Sequence, residues 1–390
     1  MSARFLKSVP AFPLVYDAGD GIILALEALF RYRGRRRSVA WLAGISGDAF
    51  KFVYDRGEVF EPLRDRVPVD TATLAAQAVG LEGRWLLDTP RSQVIEAVAH
   101  SLARGYPVLA PYLAPQVHSA ALIVGLDEAA GTFDLQVPRP DPDADAPYVT
   151  IPIPDRWDGP VPGPAIWADN PLFLIEGEAS PPDEATLLRE ALERAVALAR
   201  GGTLPYKPHP GAQEYSVPPL AGRHAFHGRD ALDLLQYEVG EVMPNRFAVI
   251  WRMDAQLGQL AWDRTNAAAF LRQAAKTTPE IAPTLTEAAC LYEETARLAR
   301  RAKGTYWDQG LLEVAEAEAA LAYLRETSSM VYALPPAAAA WEEVTRRLWR
   351  LETPWGPAAV LVTPDRVAAL QETVDGIVRN ERRAVEVLGG

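Results

Sequence analysis

The chain has 390 residues, of which 49% are hydrophobic, and its formal net charge is −12. This length predicts about two domains with enough apolar side chains to fill their cores, so we do not expect long disordered stretches. The acidic charge argues against a nucleic acid or an anionic membrane surface as partner, because both are bound through clustered Lys and Arg.

Two further features of the composition restrict the class of protein. The one cysteine, Cys290, excludes an internal disulfide and a cysteine-based metal site, and within a predicted helix we expect it to be a small buried apolar residue. No basic-then-apolar leader is present, and no apolar run reaches the roughly 18 residues that span a bilayer. The sequence therefore predicts a cytoplasmic protein without a membrane partner. It leaves the oligomeric state open, with a homodimer among the alternatives.

The most informative stretch covers residues 16–54. Its apolar segment 22–32 predicts a buried helix, and just ahead of it Asp17 and Asp20 flank small residues that include Gly19. Small and acidic residues before an apolar run are typical of a helix N-terminus whose first turn is open to a cleft. The free N–H groups and the positive end of the helix dipole would stabilise a thiolate nucleophile there, but no cysteine occupies the place.

Helices and then strands follow this stretch. A capped helix is predicted over 70–80 and an amphipathic helix over 90–104. From residue 107 the pattern changes to strands, which we place at 108–113, 119–126, 132–137, 149–153 and 172–175. The short link 127–131 predicts an antiparallel hairpin between the second and third of these strands.

A domain boundary is predicted at the Pro-containing segment 178–182, where strands end and helices take over. We place the helices at 183–200, 228–239, 246–276, 284–303, 310–327, 336–351 and 364–387. Their amphipathic patterns and alanine-rich faces favour close packing of helix on helix. We therefore predict an α+β domain over residues 1–178, with helices packed on a mostly antiparallel sheet, and an all-α helical bundle over residues 179–390.

A family resemblance is carried by positions in and after the first predicted helix, namely Ala25, Leu26, Leu29, Tyr32, Gly34, Leu42, Gly44, Gly47, Phe50 and Phe52. In this pattern the chain resembles papain-like cysteine peptidases, and more closely the N-terminal domain of butirosin biosynthesis protein H, an acyltransferase family. The resemblance implies a papain-like fold for about the first half of the chain, with Phe50 and Phe52 on a strand. The helical half is similar to the C-terminal part of the same family at Gly228, Ala231 and Leu232.

The resemblance also implies where a reactive corner would lie. The catalytic cysteine of the family falls on Gly21, and its histidine falls on His118 at the start of an apolar strand. The third residue of the family, an Asp or Asn before a proline, falls at Val137, so the group that orients the histidine is missing as well. Glycine has no side chain that could attack a carbonyl. The residues implied as cleft or ligand contacts are Gly19, Asp20, Gly21, Ser46 and His118.

We therefore hypothesise a non-catalytic papain-like protein that binds a small molecule, a peptide or an acyl group, including one on an acyl carrier, without a cofactor or metal. The alternative is an acyltransferase or amide hydrolase in which Asp17, Asp20 or Cys290 is recruited beside His118. A third interpretation makes the chain a structural partner of an active relative. Structural roles also stay open, with Asp17 and Asp20 as helix caps and His118 as a core residue.

Two other groups of residues have weaker patterns. His224 and His227, with His209 nearby, have a spacing that can ligate zinc but lack a clear third ligand. Arg33 and the run 35–37 form a basic patch after the first helix. This patch is either a solvated turn or a contact for the phosphate of a ligand.

Overall fold

The computed structural model describes residues 4–15, 21–55, 69–86, 89–111, 120–139, 148–154, 171–204, 225–237, 239, 247–307 and 364–389. Its strands are β1 (Arg4–Phe5), β2 (Val53–Asp55), β3 (Leu81–Leu86), β4 (Val108–Ala110), β5 (Ala121–Asp127), β6 (Thr132–Gln136), β7 (Val149–Pro152), β8 (Leu172–Glu178), β9 (Gly202–Leu204) and β10 (Ala225–His227). Its helices are α1 (Ile22–Tyr32), α2 (Val39–Ser46), α3 (Thr71–Ala78), α4 (Arg91–Ala103), α5 (Glu184–Ala199), α6 (Gly228–Tyr237), α7 (Phe247–Thr277), α8 (Ala282–Trp307) and α9 (Pro364–Gly389).

The main sheet has seven strands in the order β3-β8-β4-β5-β6-β7, and β1 pairs with β5 beside this path. Its pairings are antiparallel. The predicted hairpin forms between β5 and β6, with Asp127 opposite Thr132. A second sheet of three strands, in the order β2-β10-β9, joins the segment after α2 to the helical part of the chain. The predicted mixed α+β class, with an antiparallel sheet followed by a helical region, is confirmed.

Strand β5 separates two layers of the core. Ala120, Leu122 and Val124 are buried in the cluster that contains α1, whereas Ala121 and Ile123 are buried in the cluster that contains α4. This alternation follows from the two-residue period of side chains along a strand. The sheet is thus covered by α1 on one face and by α4 on the other.

Local signals explain where α1 and α2 begin and end. Helix α1 is apolar on nearly all sides and is followed by Gly34 at φ 75°, a left-handed conformation that favours glycine. The Ser38 hydroxyl caps α2 by accepting a hydrogen bond from the Trp41 N–H at 3.1 Å. Gly47, at φ 85°, ends α2.

The segment after α2 differs from the expectation that Phe50 and Phe52 share a strand. Asp48–Phe50 form a 3-10 turn directly after Gly47, and β2 begins only at Val53. The implied strand is therefore wrong at both Phe50 and Phe52, because the left-handed glycine starts a tight turn that the chain completes before it extends. Both phenylalanines are nevertheless buried.

The C-terminal region is mostly helical where the structure describes it, but it also contains the strands β9 and β10, so the prediction of an all-α bundle over residues 179–390 is wrong at these two strands. Helices α5 to α9 lie within a few residues of five of the predicted helices, and α8 packs against both α7 and α9. The helices predicted over 310–327 and 336–351 lie outside the described residues. Among the helices that the structure describes, none is both long enough and apolar enough to cross a membrane.

One buried cluster contains residues from both sides of position 178. The ring of Phe50, in the 3-10 turn, makes edge-to-face contacts with Phe270 of α7 and Tyr292 of α8, at centroid distances of 6.2 and 5.8 Å. Such contacts add to the free energy gained from burial of the rings. The helical region therefore shares a core with the residues that precede it, and the division into two domains stays a prediction.

Candidate functional site

The described part of the predicted corner is the N-terminal end of α1. Gly21 is the N-cap residue, is buried, and has φ 71° and ψ 8°. Among the described residues no side chain caps this end of the helix, although the Gly21 carbonyl accepts a hydrogen bond from the Ala25 N–H at 3.1 Å. A left-handed backbone conformation suits glycine, because the Cβ of other residues crowds the carbonyl that follows. Position 21 thus has no side chain that could attack, and its backbone conformation disfavours any residue that has one.

Replacing Gly21 by alanine should therefore lower the free energy of unfolding by roughly 1–2 kcal/mol, because a left-handed conformation costs a residue with a Cβ about that much. Urea denaturation of the variant would measure the change. Gly34→Ala is a matched control, because Gly34 has φ 75° and an ideal Cβ there would have no atom within 4 Å. If Gly21→Ala lowers the free energy of unfolding more than Gly34→Ala does, the excess measures crowding of the new methyl group at position 21. An unchanged free energy of unfolding in Gly21→Ala would contradict the left-handed conformation of the N-cap.

The other residues implied for the cleft are described only in part. The structure does not describe Asp17, Gly19, Asp20 or His118. The predicted proximity of His118 to Gly21 therefore stays a prediction. Ser46 is fully buried at the end of α2. Its hydroxyl donates to the Ala43 carbonyl at 3.3 Å and accepts from the Asp48 N–H at 3.4 Å. These contacts give Ser46 a structural role, and its contact with a ligand stays a prediction.

Gln136 is a polar residue that the sequence interpretation missed. It lies on β6 opposite Leu122, so its side chain is on the face of the sheet that α1 covers. The side chain is 3% exposed, and its Nε2 has no hydrogen-bond partner among the described residues. A buried amide without a partner is costly, so it is a candidate donor to a ligand. The sequence gives no signal for this burial, because Thr132, Asp134 and Gln136 alternate with the apolar Phe133 and Leu135 and so share one side of β6.

The arginine patch after α1 is bound largely to the protein itself. Arg33 and Arg35 both pair with Glu178, at 3.7 and 3.1 Å, and the Arg33 guanidinium lies 4.1 Å from the centroid of the Tyr106 ring. Arg37 lies 4.5 Å from the centroid of Trp41. The patch therefore ties the end of α1 to the sheet, and a contact with phosphate stays a prediction.

A cleft of about 540 Å³ lies between the N-terminal segment 8–13 and the second half of α1. Its lining includes Pro10, Ala11, Glu27, Arg31 and Arg36. Burial raises the pKa of Glu27, and the charges of Arg31 and Arg36 oppose that rise. Arg31 also donates to the Ala11 carbonyl at 3.0 Å. The cleft begins a turn or more beyond Gly21, so it is distinct from the predicted corner.

Cys290 is exposed, which corrects the expectation of a buried residue. The buried stripe of α8 runs through Leu285, Ala288, Ala289 and Tyr292, and position 290 falls beside it at 100° per residue. The Sγ atom accepts a hydrogen bond from Arg272 at 3.6 Å. Within the described ranges, no group of three or more His, Cys, Asp and Glu is placed to hold a metal, and of the predicted zinc ligands only His227 is described.

Comparison with models of known protein families finds no match to the chain, and comparison with curated proteins finds none either.

Proposed function

We propose that the chain is a non-catalytic papain-like protein that binds a small molecule, a peptide or an acyl group near the N-terminal end of α1. The observation that carries this proposal is Gly21. At the place where the resembled enzymes have a thiolate, this chain has a buried glycine with φ 71°. Covalent catalysis needs an attacking atom, and the donors at a helix N-terminus supply only a small part of the acceleration without it.

The packing around α1 supports binding at this corner. Helix α1 lies against β4 and β5, and Ala120, at the start of the described part of the second predicted strand, shares its core cluster. His118 precedes Ala120 by two positions in the sequence. The Nε2 of Gln136, for which the described part of the chain offers no hydrogen-bond partner, is buried on the same side of the sheet. A ligand with a carbonyl group would satisfy that donor, and amides and acyl groups carry one.

The proposal predicts that the purified protein has no thiol-dependent peptidase or acyltransferase turnover. Alkylation of Cys290 should also leave ligand binding unchanged, because the exposed thiol projects from α8, beside its buried stripe. Turnover of peptide and acyl thioester substrates, with and without iodoacetamide, measures the first expectation. Turnover that iodoacetamide abolishes would contradict the non-catalytic proposal and favour the alternative of an acyltransferase or amide hydrolase.

Gly21→Cys tests whether the corner still activates a nucleophile. Gly21→Cys should be made in a protein that also carries Cys290→Ser, because the exposed Cys290 would react with iodoacetamide as well. If the corner is intact, iodoacetamide labels the new cysteine at neutral pH, and His118→Ala abolishes that labelling. Equal labelling with and without His118 would separate the histidine from the corner and remove the ground for the papain-like assignment.

We further propose that the protein acts in the cytoplasm, as the sequence predicts.

A further inference from the structure

A second cleft, of about 500 Å³, lies between α3, the C-terminal half of α5 and His227. Its apolar lining includes Leu74 and Leu198, and its polar lining consists of Asp70, Thr73, Gln77, Arg194 and His227. The Asp70 carboxylate is already hydrogen-bonded within the protein, where its Oδ1 accepts from the Thr73 N–H and from Trp85 Nε1. No residue of α1 is among the lining residues. This second cleft is therefore separate from the corner at Gly21.

The His227 side chain is fixed in one orientation. It is 9% exposed, and its Nδ1 lies 3.3 Å from the Leu198 carbonyl oxygen at the end of α5. A carbonyl oxygen can only accept, so this hydrogen bond requires the proton on Nδ1. In the neutral ring, Nε2 then carries a lone pair and acts as an acceptor. His227 is one of the residues that line the cleft.

Gly202 lies beside that nitrogen. It lies directly opposite His227 in the pairing of β9 with β10. A Cβ built on Gly202 would stand 2.8 Å from His227 Nε2, closer than real Cβ atoms approach other atoms. Any residue other than glycine at this position would therefore cover the acceptor. The imidazole of His227 therefore fits here only because residue 202 has no side chain.

Arg194 supplies a positive charge to the same cleft. Its Nη1 donates to the Ile45 carbonyl at 2.8 Å, which fixes the guanidinium beside α2. Burial lowers the pKa of Arg194, and the nearby charge of Glu190 opposes this only in part. A partly buried cation gains from an anionic partner, and carboxylates bind guanidinium groups with charge-assisted hydrogen bonds.

We propose that this cleft binds a small carboxylate that has an apolar group and an N–H or O–H donor. The carboxylate pairs with Arg194, the donor bonds to Nε2 of His227, and the apolar group packs on Leu74 and Leu198. N-acylated amino acids combine these three features. The site goes beyond the function proposed above, because it uses no residue of α1 and does not depend on the resemblance to papain-like enzymes.

Reaction with diethyl pyrocarbonate tests the accessible nitrogen without any ligand. The chain has five histidines, and peptide mass spectrometry distinguishes their modification. We expect modification of His227 in the native protein, and Gly202→Ala should reduce it by about tenfold or more, the factor that 1.4 kcal/mol of added barrier produces. The exposed His100 is the internal control. An unreactive His227, or equal reaction in the Gly202→Ala variant, would overturn the assignment of Nε2.

Calorimetric titration with N-acetyl-leucine and N-acetyl-phenylalanine tests the ligand class. Their primary amides lack the carboxylate and should bind roughly tenfold or more weaker, because hydrogen bonds to a charged group contribute about 1.5–3 kcal/mol. Arg194→Gln should cause a similar loss, which Arg194→Lys partly restores. If neither acid binds, or if acids and amides bind equally, the proposed ligand class is wrong.

His227→Asn is the matched variant for the imidazole. The asparagine amide can take the place of Nδ1–H and donate to Leu198, but it has no atom at Nε2. We expect an unchanged denaturation midpoint and an affinity reduced about tenfold, as for the loss of one hydrogen bond of about 1.4 kcal/mol. Unchanged affinity for N-acetyl-leucine would show that His227 does not contact the ligand and would overturn the proposed geometry.

Discussion

Replacing Glu381 by glutamine should lower the free energy of unfolding by about 3–5 kcal/mol, because it removes the carboxylate that pairs directly with a buried guanidinium. Glu381, on α9, and Arg264, on α7, are 3% and 2% exposed. Their two hydrogen bonds, Nε to Oε1 and Nη2 to Oε2, measure 2.6 and 2.9 Å. Burial alone would lower the pKa of Arg264, but the charge and hydrogen bonds of Glu381 outweigh burial and raise it.

The remaining donor of Arg264 explains why this pair matters for the fold. Its Nη1 donates to the Ala49 carbonyl at 2.7 Å and to the Lys51 carbonyl at 3.3 Å, in the turn between α2 and β2. The guanidinium carbon also lies 5.4 Å from the centroid of the Tyr292 ring on α8. One side chain thus connects three helices of the C-terminal region to the turn after α2. Such a buried ion pair fixes the relative placement of its elements more than it adds to net stability.

Chemical denaturation of Glu381→Gln measures this effect, and an exposed pair provides the control. Arg272 and Glu293 form a comparable bidentate contact at 2.7 and 2.6 Å, but their side chains are 42% and 50% exposed. Glu293→Gln should therefore change stability by less than about 1 kcal/mol. Replacing both Arg264 and Glu381 by Met and Leu should cost less than Glu381→Gln alone, since neither member of the pair is left buried without the other. Equal effects of Glu381→Gln and Glu293→Gln would contradict the buried pair.

The sequence predicts those elements whose signals are local. The apolar segment 22–32 and Gly34 place α1, and the short link 127–131 places the β5–β6 hairpin. The buried face of a helix is harder to predict where alanine is frequent, because the faces of the helix then differ little in hydrophobicity. Cys290 illustrates this, because it follows two buried alanines, Ala288 and Ala289, and is nevertheless exposed.

Long-range features of the fold could not be predicted from local patterns. Glu381 is one of several charged residues on an amphipathic helix, and its burial depends on a partner 117 positions away in the chain. The conformation of Gly21 is likewise set by its surroundings, because glycine adopts positive and negative φ about equally well. His227 has a pattern that favours a zinc ligand in the sequence, whereas its burial and its bond to Leu198 arise from the pairing of β10 with β9.

Gly44 gives the second large expected effect. This glycine lies in the middle of α2, where alanine would ordinarily stabilise a helix by about 1 kcal/mol. An ideal Cβ at Gly44 would stand 2.0 Å from Cγ of Phe270 on α7, so the ring and the helix could not keep their present distance. Phe270 is fully buried and has little room to move. Gly44→Ala should therefore destabilise the protein by about 2–3 kcal/mol, as overpacking of a core does.

A glycine in another helix and a double-mutant cycle test whether the close approach of α2 to α7 is the cause. Near an ideal Cβ at Gly376, within α9, lie the ends of two flexible side chains, Leu298 at 3.0 Å and Arg379 at 3.8 Å, so Gly376→Ala should be neutral or stabilising. Phe270→Ala alone should cost about 3–5 kcal/mol through the cavity it leaves. The double variant should cost less than the sum of the two single changes, because removal of the ring makes room for the new methyl group. Additive losses would show that Gly44 is required for a reason other than its contact with Phe270.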